Sequence, residues 1–396
     1  MQRVLWITAR LPYPLRSGDA LYTAGLLRAA RAAGFMITVV GLPREPDMQP
    51  GALRQVEVVD WQPVQAVPRP ALGSLFSALP KDAYILLPAE LRSEIARLLE
   101  GDWDWIVFDH ARSAGALDLA MAKQGSRIAY AAHNVERKVR REVAAGMDGG
   151  IRRTPYLLDA EKYARLEDRL VAAAATVIAI TDEDAEEFRR AGATAVRVPP
   201  VYLGPKVPRR LDAAVPRRVM LLGSFDWVAK QNNLVQFLQV VGTRLTAEGV
   251  GVDIVGSVPA ELRESLEKTH EGVRFHGSVR DVAPIAASVR CGVIPEELGG
   301  GMKLKTLDYI FLGLPVFTLE SGLAGLPDAA RASVFTARTL PELADLMLRR
   351  IDDVAELEAR QAAAFAACDR LFSVEVAAAA LTRALEVRKQ PASSMA

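Results

Sequence analysis

The sequence has few cysteines, little net charge and no long apolar run. Its two cysteines, Cys291 and Cys368, are too few for a disulfide framework and indicate a reducing compartment. The formal net charge of +1 gives no overall attraction to nucleic acid or anionic lipid. No window approaches the roughly 18 apolar residues of a membrane-spanning helix, and the short run Val4–Thr8 does not suit a signal peptide. We therefore expect a cytoplasmic protein, soluble or peripheral at the inner face of the membrane, without a nucleic-acid partner.

Common cofactor signatures are missing as well. No cysteine and histidine spacing suits zinc. The turn after the first apolar run, ARLPYPLRSGDA, lacks the G-x-G-x-x-G of a nicotinamide dehydrogenase. The acidic pair of Asp102-Trp103-Asp104 imitates a metal-binding D-x-D, but it precedes a strand pattern, and an acidic loop explains it better. We predict no cofactor and no obligatory metal.

Short β-rich runs alternate with helical patterns along the whole chain, which is typical of parallel sheets buried on both faces. The predicted strands are Val4–Thr8, Met36–Gly41, Trp105–Phe108, Arg127–Ala132, Thr176–Ile180, Ala195–Val198, Val219–Leu222, Val252–Val255, Val273–His276, Cys291–Ile294 and Pro315–Thr318. The predicted helices include Asp19–Ala33, one capped by Thr181, Pro259–Thr269, Met302–Leu312, Pro341–Cys368 and Val374–Arg388.

A proline-rich segment divides this alternation. Residues 199–218 contain five prolines in twenty positions, which no helix or central strand tolerates. The fold class is therefore α/β, with a doubly wound domain at 1–200, a linker at 199–218 and a second doubly wound domain at 219–372. A C-terminal helix and tail at 373–396 could cross back to the first domain.

The stretch Gly299–Val316 (GGGMKLKTLDYIFLGLPV) carries the strongest chemical signal, because it follows a predicted strand, where open α/β sheets bind ligands. Glycines allow close backbone approach, and a helix beginning near Met302 would present free N–H groups to a pyrophosphate. Lysines in the first turn of this helix would add positive charge. A carboxylate about two turns into the helix could accept hydrogen bonds from the hydroxyl groups of a ribose. The residues concerned are Gly299, Gly300, Gly301, Met302, Lys303, Lys305 and Asp308. A flexible loop before a surface helix accounts for the same residues.

This stretch resembles the C-terminal signature of the family 4 (group 1) glycosyltransferases, from the glycine loop through Gly313-Leu314-Pro315-Val316 to Gly325-Leu326. Other segments match the family in order. They are Pro12, Pro14, Ser17 and Gly18, then His133-Asn134-Val135-Glu136, Ile178–Asp184, Gly223–Leu238 and Phe275–Val279. The resemblance implies the GT-B fold, in which two Rossmann-like domains face a cleft. It also implies transfer of a sugar from a UDP- or GDP-linked donor to a glycan, lipid-linked or small-molecule acceptor, with retention of configuration and without a metal.

The resemblance assigns roles residue by residue. Catalytic roles fall on His133, Lys305 and Asp308. Donor-binding roles fall on Gly18, Ser224, Lys230, Gly256, Val279, Gly299, Gly300, Gly301, Met302 and Lys303. Acceptor-side roles fall on Asp19 and Asn134. His110 is a further acceptor-side candidate because it follows the predicted strand Trp105–Phe108. For His133, a structural histidine bonded to the backbone is the alternative.

Departures from the family pattern keep other functions open. Gly300 stands where the first acid of the family's E-x7-E pair is expected, and Asp308 replaces the second glutamate. A phosphate-binding arginine of many relatives corresponds here to Phe225 or Asp226. A non-catalytic subunit that binds a nucleotide-sugar and an epimerase of the UDP-N-acetylglucosamine type remain alternatives. The basic segment 137–153 predicts either peripheral membrane contact or a solvated helix face.

Overall fold

A computed structural model describes residues 1–45, 59–123, 125, 127–145, 154–226, 228–296 and 301–386, with only the backbone at 228 and 229. The chain forms two compact units. Unit 1 consists of Met1–Tyr202 together with Phe372–Ala396, and unit 2 consists of Leu203–Leu371. The boundary at Tyr202 lies in the proline-rich segment, and the chain returns to unit 1 near Phe372.

The described part of unit 1 contains a parallel sheet of seven strands in the order β3-β2-β1-β4-β5-β6-β7. These strands are β1 (Arg3–Arg10), β2 (Met36–Leu42), β3 (Asp60–Pro63), β4 (Trp105–Asp109), β5 (Arg127–Ala132), β6 (Thr176–Ala179) and β7 (Ala195–Arg197). The central strands are buried along nearly their whole length because helices cover both faces. Reversal of the strand order beside β1 creates a switch point, where such folds bind ligands.

Helices connect the strands of unit 1. Their bounds are Gly18–Ala32, Lys81–Ile85, Ala89–Leu99, Leu117–Met121, Glu136–Ala145, Thr154–Ala173, Asp182–Arg190 and Val374–Glu386, with 3₁₀ turns at Ala71–Phe76 and Ala111–Ala116. Thr181 caps its helix as predicted, because its Oγ1 accepts a hydrogen bond from the Asp184 N–H at 3.0 Å. The C-terminal helix Val374–Glu386 packs on Gly18–Ala32. In the described part of the chain, no helix is long and apolar enough to cross a membrane.

The described part of unit 2 contains a second parallel sheet, of six strands in the order β10-β9-β8-β11-β12-β13. The strands are β8 (Arg218–Leu222), β9 (Gly251–Val255), β10 (Val273–Gly277), β11 (Cys291–Ile294), β12 (Val316–Leu319) and β13 (Phe335–Ala337). The helices of this unit are Val228–Phe237, Thr243–Ala247, Ala260–Thr269, Ala283–Ala287, Lys305–Phe311, Asp328–Ser333, Leu340–Arg350 and Val354–Asp369, with a π turn at Leu238–Gly242 and a 3₁₀ turn at Glu320–Leu323.

The predicted α/β class with two doubly wound sheets is confirmed, and every predicted strand forms within two residues of its expected bounds. Two helix predictions are wrong in detail. The helix expected to begin near Met302 begins at Lys305, and Gly301, which precedes it, has a left-handed φ of +67°. The helix expected over Pro341–Cys368 is interrupted, because the Asp353 carboxylate accepts a hydrogen bond from the Glu356 N–H at 3.0 Å and caps a new helix.

Candidate functional site

One short helix of unit 2 holds the carboxyl ends of two neighbouring strands. On Lys305–Phe311, the Tyr309 hydroxyl accepts a hydrogen bond from the Leu222 N–H of β8 at 2.7 Å and donates to the Val293 carbonyl of β11 at 3.2 Å. One turn earlier, the Lys305 Nζ donates to the Leu222 carbonyl at 3.3 Å. The helix thereby places the Lys305 ammonium at the carboxyl edge of the sheet, which is the ligand-binding edge of this fold class.

The Lys305 ammonium forms an ion pair with the Glu296 carboxylate, which lies just after β11. Both side chains are largely buried, with 17% and 16% of their surfaces exposed. Burial opposes ionisation of Glu296, but the attraction and hydrogen bond of Lys305 outweigh it, so the pKa of Glu296 lies below its ordinary value. Glu296 lies four positions before Gly300, where the family's first acid is expected, and the sequence gives no sign of its contact with Lys305.

Gly256 allows two strand ends to approach closely. Its φ of +130° lies in the region that favours glycine, and a Cβ at this position would lie 1.6 Å from the Gly223 carbonyl oxygen. Its N–H donates to the Gly277 carbonyl at 2.8 Å, which ties the end of β9 to the end of β10. The predicted donor-binding residue Val279 follows two positions later along that turn.

A polar cluster follows β8 and β9 at the same edge. The Ser257 hydroxyl donates to Asp226 Oδ2 at 2.8 Å and lies 3.2 Å from the Ser224 hydroxyl. Hydrogen bonds from Ser224 and Ser257, with the nearby charge of Lys230, keep the pKa of the exposed Asp226 carboxyl below its ordinary value. Asp226 is thus one of the two residues that correspond to the phosphate-binding arginine of many relatives. Its negative charge would repel a phosphate group.

The predicted glycine loop is only partly described. Gly299 and Gly300 lie outside the described residues, whereas Gly301 has a left-handed φ of +67°. Met302 is buried before the helix, and Lys303 lies in the turn that leads to it. Lys303 is therefore not in the first helical turn, contrary to the prediction. Asp308 lies on the helix, one turn after Lys305, and is partly buried.

The carboxyl edge of the unit 1 sheet contains a buried aspartate–histidine pair. His133 Nε2 lies 2.6 Å from Asp109 Oδ1, and the Trp6 Nε1–H donates to Asp109 Oδ2 at 2.7 Å. Because a carboxylate oxygen accepts, this contact assigns the ring proton of His133 to Nε2 and orients the ring. The Tyr22 ring packs edge-on against His133, with centroids 5.0 Å apart. The aspartate places this histidine much as orienting carboxylates do in catalytic sites.

His110 lies beside this pair in a strained backbone conformation. Among the described non-glycine residues it is the one with a positive φ, at +67°. Its Nδ1 accepts a hydrogen bond from the Arg112 N–H at 3.2 Å, so Nε2 carries the proton and faces Glu136 Oε1 at 3.3 Å. Burial, followed by the charges of Arg112 and His133, lowers the pKa of His110 well below its ordinary value and keeps the ring neutral. The ring centroids of His110 and His133 are 5.1 Å apart.

The other predicted acceptor-side residues already have partners in unit 1. The Asp19 carboxylate, in the first turn after Gly18, binds the guanidinium groups of Arg44, at 2.9 Å, and of Arg112. The Asn134 side-chain amide donates to Glu136 Oε1 at 3.2 Å. Asp19 thus positions the guanidinium groups of two arginines, and the hydrogen bond from Asn134 positions the Glu136 carboxylate.

Glu167 organises the helix that carries Glu136, and no sequence motif predicts it. Its buried carboxylate accepts hydrogen bonds from the N–H groups of Glu136 and Arg137, each at 3.0 Å, and from the Tyr130 hydroxyl at 2.9 Å. These contacts satisfy the free donors at the start of Glu136–Ala145. Burial, together with the charge of Glu136, raises the pKa of Glu167 to about 7 despite those hydrogen bonds.

The described arginines of the basic segment 137–153 bind carboxylates of unit 1. Arg137 pairs with Asp168 and Glu187, Arg140 pairs with Glu136 and Asp82, and Arg141 pairs with Glu161. Residues 146–153 of the predicted membrane contact lie outside the described residues.

Asp104 belongs to the acidic pair that resembles a metal-binding D-x-D. Its carboxylate accepts a hydrogen bond from the Arg3 N–H at 2.8 Å, at the amino end of the sheet. Among the described residues, no group of three or more His, Cys, Asp or Glu side chains could hold a metal.

Each unit thus presents a different set of polar groups at the carboxyl edge of its sheet. The edge of unit 2 combines an ammonium group with close-packed glycine backbone, which suits a pyrophosphate. The edge of unit 1 combines an oriented histidine with a neutral histidine and arginines, which suits hydroxyl-bearing or anionic groups.

Two family models match successive parts of the chain. The model of the glycosyl transferase 4-like domain matches residues 17–204, and that of glycosyl transferases group 1 matches residues 216–353. No curated protein matches the chain by sequence.

Solved structures of similar fold cover nearly the whole chain. Sucrose-phosphate synthase from Thermosynechococcus elongatus has 18% identity and a TM-score of 0.72, covering 97% of this chain and 98% of that one. Anabaena HepE in complex with UDP-glucose has 15% identity and a TM-score of 0.67, covering 97% and 99%. WaaG, a glycosyltransferase involved in lipopolysaccharide biosynthesis, has 14% identity and a TM-score of 0.66, covering 98% and 100%. With two family models matching in order and the fold shared along its length, the chain belongs to the group 1 glycosyltransferases and has the GT-B fold.

Proposed function

We propose that this glycosyltransferase moves a sugar from a UDP-linked donor to a hydroxyl group of a glycan, lipid-linked or small-molecule acceptor. The observation that carries the proposal is the Lys305–Glu296 pair at the carboxyl edge of the unit 2 sheet, beside the close-packed glycines Gly223 and Gly256. A cation and accessible backbone are what a pyrophosphate requires. The UDP-glucose bound to Anabaena HepE makes UDP the first nucleotide to test, before GDP.

On the donor side, the Lys305 ammonium binds the diphosphate and stabilises the negative charge that develops as the sugar–phosphate bond breaks. Glu296 holds this ammonium at the strand ends through the ion pair. Asp308, one turn further along the same helix, binds the ribose hydroxyls. Lys303 and Lys230 add positive charge, so we propose that no metal ion is obligatory.

On the acceptor side, His133 is the residue that acts next to the transferred sugar. With Nε2–H bonded to Asp109, its Nδ1 is the ring atom that accepts a hydrogen bond from a sugar hydroxyl. We propose that transfer retains the anomeric configuration, as the family resemblance implies. The described edge of unit 1 supports this role through ring orientation, since Asp109 is itself held by Trp6.

Thermal-shift measurements with UDP, GDP, dTDP and their glucose conjugates test the donor assignment. We expect UDP or UDP-glucose to raise the unfolding temperature of the wild type and to raise that of Lys305→Met much less. Lys268→Met, which removes an exposed lysine from a helix of the same unit, is the matched control. Absence of a shift with every nucleotide contradicts the proposal.

A specific observation favours a second candidate. Gly300 stands where the first acid of the family's E-x7-E pair is expected, which favours a subunit that binds a nucleotide-sugar without transferring it. Such a protein would show the thermal shift with UDP-glucose and release no UDP in the presence of any acceptor. An epimerised sugar formed from the donor alone would instead identify an epimerase.

Peripheral membrane contact through residues 137–153 and a cytoplasmic location stay predictions. The described arginines of this segment bind carboxylates of unit 1, which supports a structural role for Arg137, Arg140 and Arg141. Vesicle sedimentation of Lys138→Gln tests the exposed cation of that helix, and loss of vesicle binding would favour the membrane interpretation.

A further inference from the structure

Three arginine side chains converge at the carboxyl edge of the unit 1 sheet. Arg10 is the last residue of β1, Arg44 comes two residues after β2, and Arg112 comes three residues after β4. Strands β2 and β4 are the two direct neighbours of β1, and all three run parallel. Because the carboxyl ends of neighbouring parallel strands meet at one edge, the topology gathers these three guanidinium groups.

Within the described residues, the carboxylate of Asp19 is the one that contacts these arginines, and it binds two of them. Its Oδ2 binds Arg44 at 2.9 Å and also binds Arg112, and the Ser17 hydroxyl donates to Oδ1. Arg44 is fixed further by a hydrogen bond from its Nε to the Leu11 carbonyl at 2.8 Å. The side chains of Arg44, Arg112 and Asp19 are only 21%, 21% and 24% exposed, so these ion pairs are partly buried.

Arg10 is the third cation of this group. Within the described part of the chain, no carboxylate lies at ion-pair distance from its guanidinium. Burial, followed by repulsion from Arg44 and Arg112, lowers the pKa of Arg10, and the attraction of Asp19 does not compensate. Among the described residues, the three cations therefore have one carboxylate, that of Asp19, at ion-pair distance, and the charge of Glu136 acts on Arg112 from further away. Positive charge that is partly buried and not fully balanced costs free energy unless an anion neutralises it.

We propose that Arg10, Arg44 and Arg112 form a binding site for an anionic group, a phosphate or a carboxylate, on the sugar acceptor. The planar guanidinium fork matches these oxyanions in a bidentate manner, which an ammonium group cannot do. This inference rests on the proposed function, because it names the chemical class of the acceptor.

The site adjoins the histidines of the same edge. The Arg112 N–H donates to His110, and the ring centroid of His110 lies 5.1 Å from that of His133. An acceptor whose anionic group binds the three arginines therefore has its sugar ring on the side of His133. The acceptor class that fits is a sugar phosphate, a uronic acid or a lipid-linked sugar phosphate, which share the oxyanion.

Titration calorimetry on the full chain tests the site, with saturating UDP present so that the anion cannot occupy the diphosphate site. The probes are inorganic phosphate, glucose 6-phosphate, glucuronate and neutral glucose, with phosphatidic acid vesicles as a separate arm for a lipid phosphate. We expect at least one anionic probe to bind and glucose to bind far more weakly. In Arg10→Gln the affinity should fall about 10-fold or more, and Arg10→Lys should restore part of it.

Arg190→Gln is the control, because it removes an exposed, paired arginine from a helix of the same unit. Thermal unfolding of each variant confirms that it is folded. Which soluble anion binds, or whether only the vesicles do, identifies the source of the oxyanion. Equal anion affinity in Arg10→Gln and Arg190→Gln, or no binding of any anion, overturns the inference. Failure of UDP itself to bind would count against the proposed function and not against the arginine site.

Discussion

Replacing Lys305 with methionine separates the structural role of this residue from its role in binding phosphate. The substitution removes the ammonium and leaves the Glu296 carboxylate, which is 16% exposed, without its cation. Breaking a fully buried pair costs about 3–5 kcal/mol, and partial exposure reduces this, so we expect a loss of about 2–3 kcal/mol. For a unit of this size, the loss lowers the unfolding temperature by roughly 5–10 °C.

The loss of stability should depend on pH in a defined direction. In the wild type the pKa of Glu296 is lowered, so the pair contributes stability above the unfolded pKa of about 4.3 and loses it as pH falls. In Lys305→Met, burial without a cation raises the pKa of Glu296, and protonation relieves the cost in acid. The stability difference between wild type and variant is therefore largest near neutral pH and shrinks below about pH 4.

The double variant Lys305→Met/Glu296→Gln completes the experiment. Without a buried charge, it should recover most of the lost stability, measured by urea denaturation, while release of UDP from UDP-glucose stays lower by about 10²-fold. Lys268→Met serves as the control for removing a lysine from unit 2. Recovery of UDP release together with stability would refute the reasoning, because Lys305 would then serve only to neutralise Glu296.

Three further predictions concern the other residues of the site. Asp308→Asn should weaken UDP binding about 10-fold in calorimetry, and unchanged affinity would show that the ribose lies elsewhere. Asp109→Asn should lower kcat by about 10²- to 10⁴-fold with little change in UDP affinity, because His133 loses the carboxylate that fixes its proton and orientation; an unaltered kcat would contradict this. Glu167 has a raised pKa of about 7, so it favours the folded state at low pH and loses this effect as pH rises toward 7. Glu167→Gln should therefore lose less stability between pH 5 and pH 8 than the wild type does, and equal pH dependence would contradict the assignment.

The central strands could be predicted because they are buried on both faces and therefore read as continuous apolar runs. The strands that the prediction missed lack such runs. Asp60–Pro63 is a half-buried edge strand that ends in proline, and Phe335–Ala337 has only three residues with an exposed threonine at its centre. Local composition cannot identify strands of this kind, since their place depends on the neighbour they pair with.

The candidate site shows the same limit. His133, His110 and Lys305 were predicted because each follows a strand or glycine loop at the ligand-binding edge. Their partners were not, because the pairings of Asp109 with His133 and of Glu296 with Lys305 depend on side-chain directions that spacing does not specify. The arginine group likewise requires the strand order, which alone brings distant parts of the chain to one edge.

Proton NMR of a reaction mixture tests the central claim most directly. The protein is incubated with UDP-glucose and either glucose, glucose 6-phosphate or glucuronate, and the anomeric protons and UDP are followed at early times. We predict release of UDP with formation of an α-linked product, in wild type and in Lys268→Met, and strong reduction in Lys305→Met and Asp109→Asn. Parallel incubations with GDP- and dTDP-glucose cover the other donors. No nucleotide release from any donor, or equal release in all four proteins, would contradict the assignment of catalysis to these residues.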